Sequence, residues 1–162
     1  VPVPSGFDRC TALLDYDGPA RDLVARIKYR NQRGAIAWLA SAMADLTDAQ
    51  RIDVVTWAPT SDRRRHQRGF DQAELLARPI AARLDRPCRR LLWHRPGAPQ
   101  TGRDALARRA GVAFRATRRL GGHRVLVVDD VVTTGATLAG AGVALRVAGA
   151  GALEGLVVAH PR

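Results

Sequence analysis

Residues 125–137 constrain the fold more than any other stretch. Four apolar residues, Val125-Leu126-Val127-Val128, run into two adjacent acids, Asp129 and Asp130. Val131-Val132 and a loop of small residues, Thr133-Thr134-Gly135-Ala136-Thr137, follow. An apolar run without polar alternation predicts a strand covered on both faces, as in a parallel sheet. A helix is expected from about Ala136 to Ala148, and then a last strand from Gly155 to Ala159. Strand, helix, strand in this order is a right-handed βαβ unit. Gly140 and Gly142 inside that helix each cost about 1 kcal/mol against Ala, which close packing against the sheet would offset.

The rest of the chain fits around this unit. A helix is expected to start at Asp17-Gly18-Pro19, with Leu23, Val24 and Ile27 on one face. Ile36, Leu39, Ala40, Met43 and Leu46 keep helical spacing and predict a second helix. Asp53 to Trp57 forms a short apolar strand ended by Ala58-Pro59. A third helix is expected from about Asp71 to Leu84, kinked or shortened at Pro79. Leu91-Leu92-Trp93 is a candidate strand. Arg95 to Arg119 is polar and basic, a loop with a helical piece near Asp104 to Arg109. With 162 residues, 46% hydrophobic and 25% charged, the chain suits one soluble α/β domain over residues 1–162, with a central, mostly parallel sheet flanked by helices.

Charge narrows the functional classes. The net charge is +11, carried by 25 Arg and a single Lys, Lys28 in Ile27-Lys28-Tyr29-Arg30. A P-loop nucleotide site is excluded, because it needs Gly-Lys-Ser/Thr. Residues 86–124 hold 11 bases and 1 acid. Such a block is either a solvated arginine surface or a site for a polyanion such as pyrophosphate, nucleotide or nucleic acid. Cys10 and Cys88 are too few and too far apart for a zinc site and are expected to be small core hydrophobes. No signal peptide is visible in Val1-Pro2-Val3-Pro4, and no stretch is apolar enough for a membrane helix, so a cytoplasmic setting and no membrane partner are expected.

The chemistry converges on the 129–137 segment. Backbone N–H groups, threonine hydroxyls and the positive end of a helix form a site for a phosphate monoester. Gly135 lets the backbone approach the anion. Two carboxylates beside a phosphate repel it, but they accept hydrogen bonds from vicinal hydroxyls next to it, as on a ribose 5-phosphate. The alternative is that the acids merely end a strand and Thr133 or Thr134 caps a helix.

The thirteen residues 125–137 resemble the signature of the type I phosphoribosyltransferases for phosphoribosyl pyrophosphate (PRPP). The resemblance implies that Asp129 and Asp130 hold the ribose hydroxyls, and that Thr133, Thr134, Gly135, Ala136 and Thr137 hold the 5-phosphate. A narrower resemblance, to the ComF (competence protein F) family, rests on Tyr16-Asp17-Gly18-Pro19, Ile27-Lys28-Tyr29-Arg30, Arg68-Gly69-Phe70-Asp71-Gln72-Ala73 and Gln100-Thr101-Gly102. Members often begin with a four-Cys zinc module, absent from this sequence, and Asp71 stands where that family usually has Asn.

By the same resemblance the pyrophosphate falls to the loop after the 53–57 strand: Pro59, Thr60 and Ser61 shape the turn, and Arg63, Arg65 and Arg68 supply bidentate guanidinium forks. Arg95 to Arg109, with Gly97 and Gly102 as hinges, is either a hood over the substrate or a surface loop. Of the histidines, only His66 has functional neighbours. The implied activity is Mg²⁺-dependent transfer of phosphoribose from PRPP to a base or amine, with Mg²⁺ carried by PRPP and touched by Asp129 or Asp130. The alternative is a non-catalytic protein of DNA uptake that binds PRPP, a nucleotide or single-stranded DNA. Nucleic acid and a second copy in a homodimer stay open as partners.

Overall fold

The computed structural model describes residues 2–18, 22, 33–60, 69–94 and 114–161. Four parallel strands form the main sheet: β1 (Arg9–Asp15), β2 (Val54–Trp57), β5 (Arg124–Val131) and β6 (Ala152–His160), in the order β1-β6-β5-β2. Two short strands, β3 (Leu92–His94) and β4 (Phe114–Ala116), pair antiparallel in a separate ribbon. Among the described residues the long helices are α1 (Arg33–Ala44), α2 (Gln72–Arg83) and α3 (Ala136–Val147). The expected α/β architecture with a parallel central sheet is therefore present. Val125 to Val128 lie in its interior, between β6 and β2.

The unalternating apolar run in β5 has a direct cause. Leu126 and Val128 face a core shared with Leu39 and Met43 of α1 and with Leu76 and Ile80 of α2. Val125 and Val127 face the opposite core, built with Leu138, Ala141 and Leu145 of α3 and with Leu92 and Phe114 of the ribbon. Both sides of the strand are covered, so both must be apolar. Because β5 and β6 are parallel, the chain must cross over between them, and α3 is that crossover.

Several expectations are corrected. Pro79 does not shorten its helix; α2 runs unbroken through it for 12 residues. The ring removes one helical donor, but Leu76, Ala77 and Ile80 on the same helix are fully buried and hold it in place. Leu46 lies beyond α1, in the following turn, and is 43% exposed. β1 gave no clear sequence signal because it is an edge strand with mostly half-buried residues. Ala116 closes β4 inside a segment expected to be loop. The helix expected after Asp17-Gly18-Pro19 falls largely outside the described residues, as do Arg95 to Arg109. Cys10 is buried, and burial pushes its thiol up to about 11, which fits a small hydrophobe. Among the described residues, no helix is long and apolar enough to cross a membrane.

The glycine in the middle of α3 has a specific neighbour. A Cβ on Gly142 would stand 2.8 Å from the Ser5 carbonyl oxygen and 2.9 Å from the Phe7 ring. The close packing is therefore against the N-terminal segment rather than the sheet. Gly142→Ala gains about 1 kcal/mol of helix propensity but forces backbone and ring apart, at about 1–3 kcal/mol. The expected result is a net loss of thermal stability, read as a lower melting temperature. A higher one would show that residues 5–7 yield freely.

Candidate functional site

The carboxyl end of β5 and the start of α3 form the site. Asp129 is the last buried residue of the strand, and Asp130 beside it is half-buried. The turn is held by its own acids: Asp130 N–H donates to Asp129 Oδ1 at 2.8 Å, and Val131 N–H donates to Asp130 Oδ1 at 2.7 Å. Burial raises the Asp129 carboxyl well above the ordinary range, and the Asp130 charge raises it further. A side-chain hydrogen bond between the two carboxyls adds to this. Asp129 is thus disposed to hold a proton, or to share a hydroxyl proton of a ligand.

Beyond the acids, the chain makes the turn that Thr133-Thr134-Gly135 requires. Gly135 sits at φ +74° as the N-cap of α3. This left-handed conformation is one that side-chain-bearing residues rarely adopt. As N-cap, Gly135 offers no side chain to the first-turn N–H groups; the Thr134 hydroxyl accepts from Ala136 N–H at a long 3.4 Å. The first turn of a helix has N–H groups without intrahelical partners, so it presents donors and a positive dipole end to an anion. An open cleft of about 200 Å³ is lined by Asp129, Val131, Val132, the five residues 133–137 and Leu138. Six of the seven residues expected on ribose and 5-phosphate line this cleft; Asp130, next to Asp129 in the strand, is not among its lining residues.

Of the residues expected on pyrophosphate, Pro59 and Thr60 are described; Ser61, Arg63, Arg65 and Arg68, and with them His66, lie outside the described residues. Thr60 N–H donates to Asp71 Oδ2 at 3.0 Å, while Asp71 Oδ1 caps α2 through Ala73 N–H at 3.2 Å. One carboxylate therefore ties the loop after β2 to the start of α2. It is buried, and burial raises its carboxyl against the pull of these bonds. The Asp71 charge also reaches Asp129. Sequence reasoning left Asp71 without a role. The signal was Asp71 followed three residues later by Glu74, the capping-box spacing. Next to it, Gln72 is buried, and its Oε1 has no hydrogen-bond partner among the described residues. Among the described residues, no group of three His, Cys, Asp or Glu side chains could hold a metal.

No protein-family model matches the chain. It is 31% identical over 153 residues to the DNA utilization protein YhgH of Escherichia coli K12. It is 30% identical over 152 residues to the protein of that name from Salmonella typhimurium LT2. Each match covers 84% of this chain, which spans 65% of the length of these curated relatives. In three dimensions it is similar to a purine phosphoribosyltransferase from Pyrococcus horikoshii, with a TM-score of 0.51, 19% identity, and coverage of 78% of this chain and 73% of that one. The chain folds as a type I phosphoribosyltransferase-like α/β protein.

Proposed function

We propose that the cleft at the end of β5 binds PRPP, and that the protein transfers its phosphoribosyl group to a base or amine. One observation carries this reading: buried Asp129, with half-buried Asp130 beside it, leads directly into a left-handed glycine turn and a helix start with no side-chain cap on Gly135. The loop 133–137 would hold the 5-phosphate through its N–H groups and hydroxyls. Asp129 and Asp130 would accept hydrogen bonds from the 2- and 3-hydroxyls, supplying the partners a buried carboxylate needs. The loop from Pro59 through Arg68 would take the pyrophosphate.

In the transfer, the C1–oxygen bond to pyrophosphate breaks as the acceptor nitrogen bonds to C1, and the acceptor's proton leaves to solvent. The protein's part is positioning and charge stabilisation around an oxocarbenium-like carbon. Mg²⁺ suits the hard oxygens here, and PRPP itself would carry it. Carboxylate oxygen from Asp130 or Asp129 is the protein's available ligand type. When bound, the ion neutralises the leaving pyrophosphate.

A second reading, binding of PRPP or a nucleotide without turnover together with single-stranded DNA, is favoured by the name of the curated relatives and by the basic 86–124 segment. Calorimetry with PRPP, with and without Mg²⁺, tests the site, and pyrophosphate release across a panel of bases and amines tests the transfer. Asp130→Ala is expected to lower PRPP affinity about tenfold to a hundredfold, the loss of a charged hydrogen-bond acceptor. Unchanged affinity in a folded variant would remove the acid pair from the site. Binding without pyrophosphate release would favour the second reading.

A further inference from the structure

The β3–β4 ribbon carries a feature that the phosphate cleft does not use. Trp93 lies in the middle of β3 and is 46% exposed. Its neighbours alternate as a strand requires: Leu92 is fully buried, and His94 packs edge-on against buried Phe114 at 5.5 Å. Trp93 therefore points to the outer face of the ribbon. The guanidinium of Arg90 stacks on its ring, 3.6 Å from the centroid. Directly across the ribbon from Trp93 stands Arg115, also exposed. Opposed residues of an antiparallel pair keep their Cβ atoms about 4.5–5.5 Å apart, so the Arg115 side chain leaves the ribbon on the same face as Trp93.

The chain then brings more charge to this place. Thr117 N–H donates to Leu91 O, and the Thr117 hydroxyl donates to Arg90 O. These bonds extend the pairing by one residue, and exposed Arg118 and Arg119 follow directly on it. Among the described residues, Arg115, Arg118 and Arg119 pair with no carboxylate. Stretches 86–94 and 114–124 hold no acid; of their seven Arg, Arg124 pairs with Asp53 and Arg86 bonds the carbonyls of Ala49 and Ile52, so five bear on this place. A large aromatic left in water costs stability unless something covers it, and among the described residues an arginine stacks on this one.

We infer that the outer face of the ribbon is a stacking site for an unpaired base of single-stranded nucleic acid. Trp93, braced by Arg90, supplies the platform, and Arg115, Arg118 and Arg119 take the flanking phosphates. Aromatic stacking beside guanidinium groups is the chemistry that binds unpaired strands. An acidic protein segment would satisfy the charges but leave the indole face unused. The inference deepens the nucleic-acid half of the second reading and is independent of PRPP.

The test is fluorescence anisotropy of labelled dT and rU oligonucleotides at several salt concentrations, with the duplex as control. Wild type should bind single strands more tightly than duplex. Trp93→Ala should weaken this about fivefold to a hundredfold, the range for one stacked base, with the salt slope unchanged. Trp93→Phe should recover much of the loss. Arg115→Ala should flatten the slope by about 0.7 if it meets one phosphate. PRPP affinity should not move in any of the three. Binding of either oligonucleotide that weakens in Trp93→Ala supports the surface, and the tighter one identifies the sugar. If wild type binds no strand, the nucleic-acid reading itself fails. If wild type binds but folded Trp93→Ala binds equally well, only this surface is wrong, and displacement by polyglutamate would then favour an acidic protein partner. Should Trp93→Ala not fold, Trp93→Phe and Arg115→Ala decide: full wild-type slope and affinity in Arg115→Ala overturn the inference.

Discussion

Asp129→Asn is expected to make the protein more stable at pH 7 and to abolish tight PRPP binding. The Asp129 carboxyl is buried against Asp130, and its folded-state affinity for a proton is raised, chiefly by burial. An acid of this kind holds its proton to higher pH in the folded protein than in the unfolded chain. The stability it leaves intact at low pH is therefore lost as pH rises through the folded-state value. Asn keeps the shape, still accepts from Asp130 N–H, and carries no charge to desolvate. The gain at neutral pH should be on the order of 1–3 kcal/mol, the cost of a poorly satisfied buried polar group. At about 2–4 °C per kcal/mol for a chain of this size, that is a rise of several degrees. The gap between variant and wild type should shrink as pH falls and Asp129 is protonated in both states. Melting curves at three pH values and calorimetry with PRPP measure the two effects. A lower melting temperature for the variant at pH 7, or a gap independent of pH, would show that Asp129 is well compensated.

Leu138→Ala should be among the most damaging single changes near the cleft. Leu138 is fully buried in the first turn of α3, directly after Thr137, and lines the cleft from below. Its Cδ1 packs over Gly155 of β6, 3.5 Å from where a Cβ would stand. Truncation leaves a cavity between helix and sheet, costing about 2–5 kcal/mol and, at about 2–4 °C per kcal/mol, a large fall in melting temperature. The first turn of α3 loses its anchor, so PRPP affinity should fall too, although Leu138 offers no polar group. Leu138→Met conserves volume and should cost less than about 1.5 kcal/mol. Saturating PRPP should recover part of the lost stability, because a ligand of the folded state alone stabilises it. A drop no larger than that of Leu138→Met would mean that the helix start settles onto the sheet without it.

What was legible in the sequence was local. The Val125–Val128 run announced a strand buried on both faces because nothing polar interrupts it. The acid pair, the small-residue loop and the helix after it follow from residue chemistry within thirteen positions. The helical spacings around Met43 and Ile80 were readable for the same reason, since a helix buries one face of its own sequence. What failed was what depends on partners distant in the chain. β1 is a strand because β6 offers it an edge, not because its residues alternate. Pro79 stays inside a helix because the buried stripe around it outweighs one missing hydrogen bond.

The site divides the same way. That Asp129 and Thr133–Thr137 belong together was determined by the sequence, because they are neighbours along the chain and strand-to-turn geometry brings them to one cleft. Tertiary structure alone placed Asp71 between the Thr60 backbone and α2, and Arg115 across from Trp93. It also set Gly142 against Ser5 and Phe7, and buried Asp129 deeply enough to raise its proton affinity. Each of these is a contact across many residues. Local preference cannot encode such a contact, because its energy exists only once the sheet has brought both sides into place.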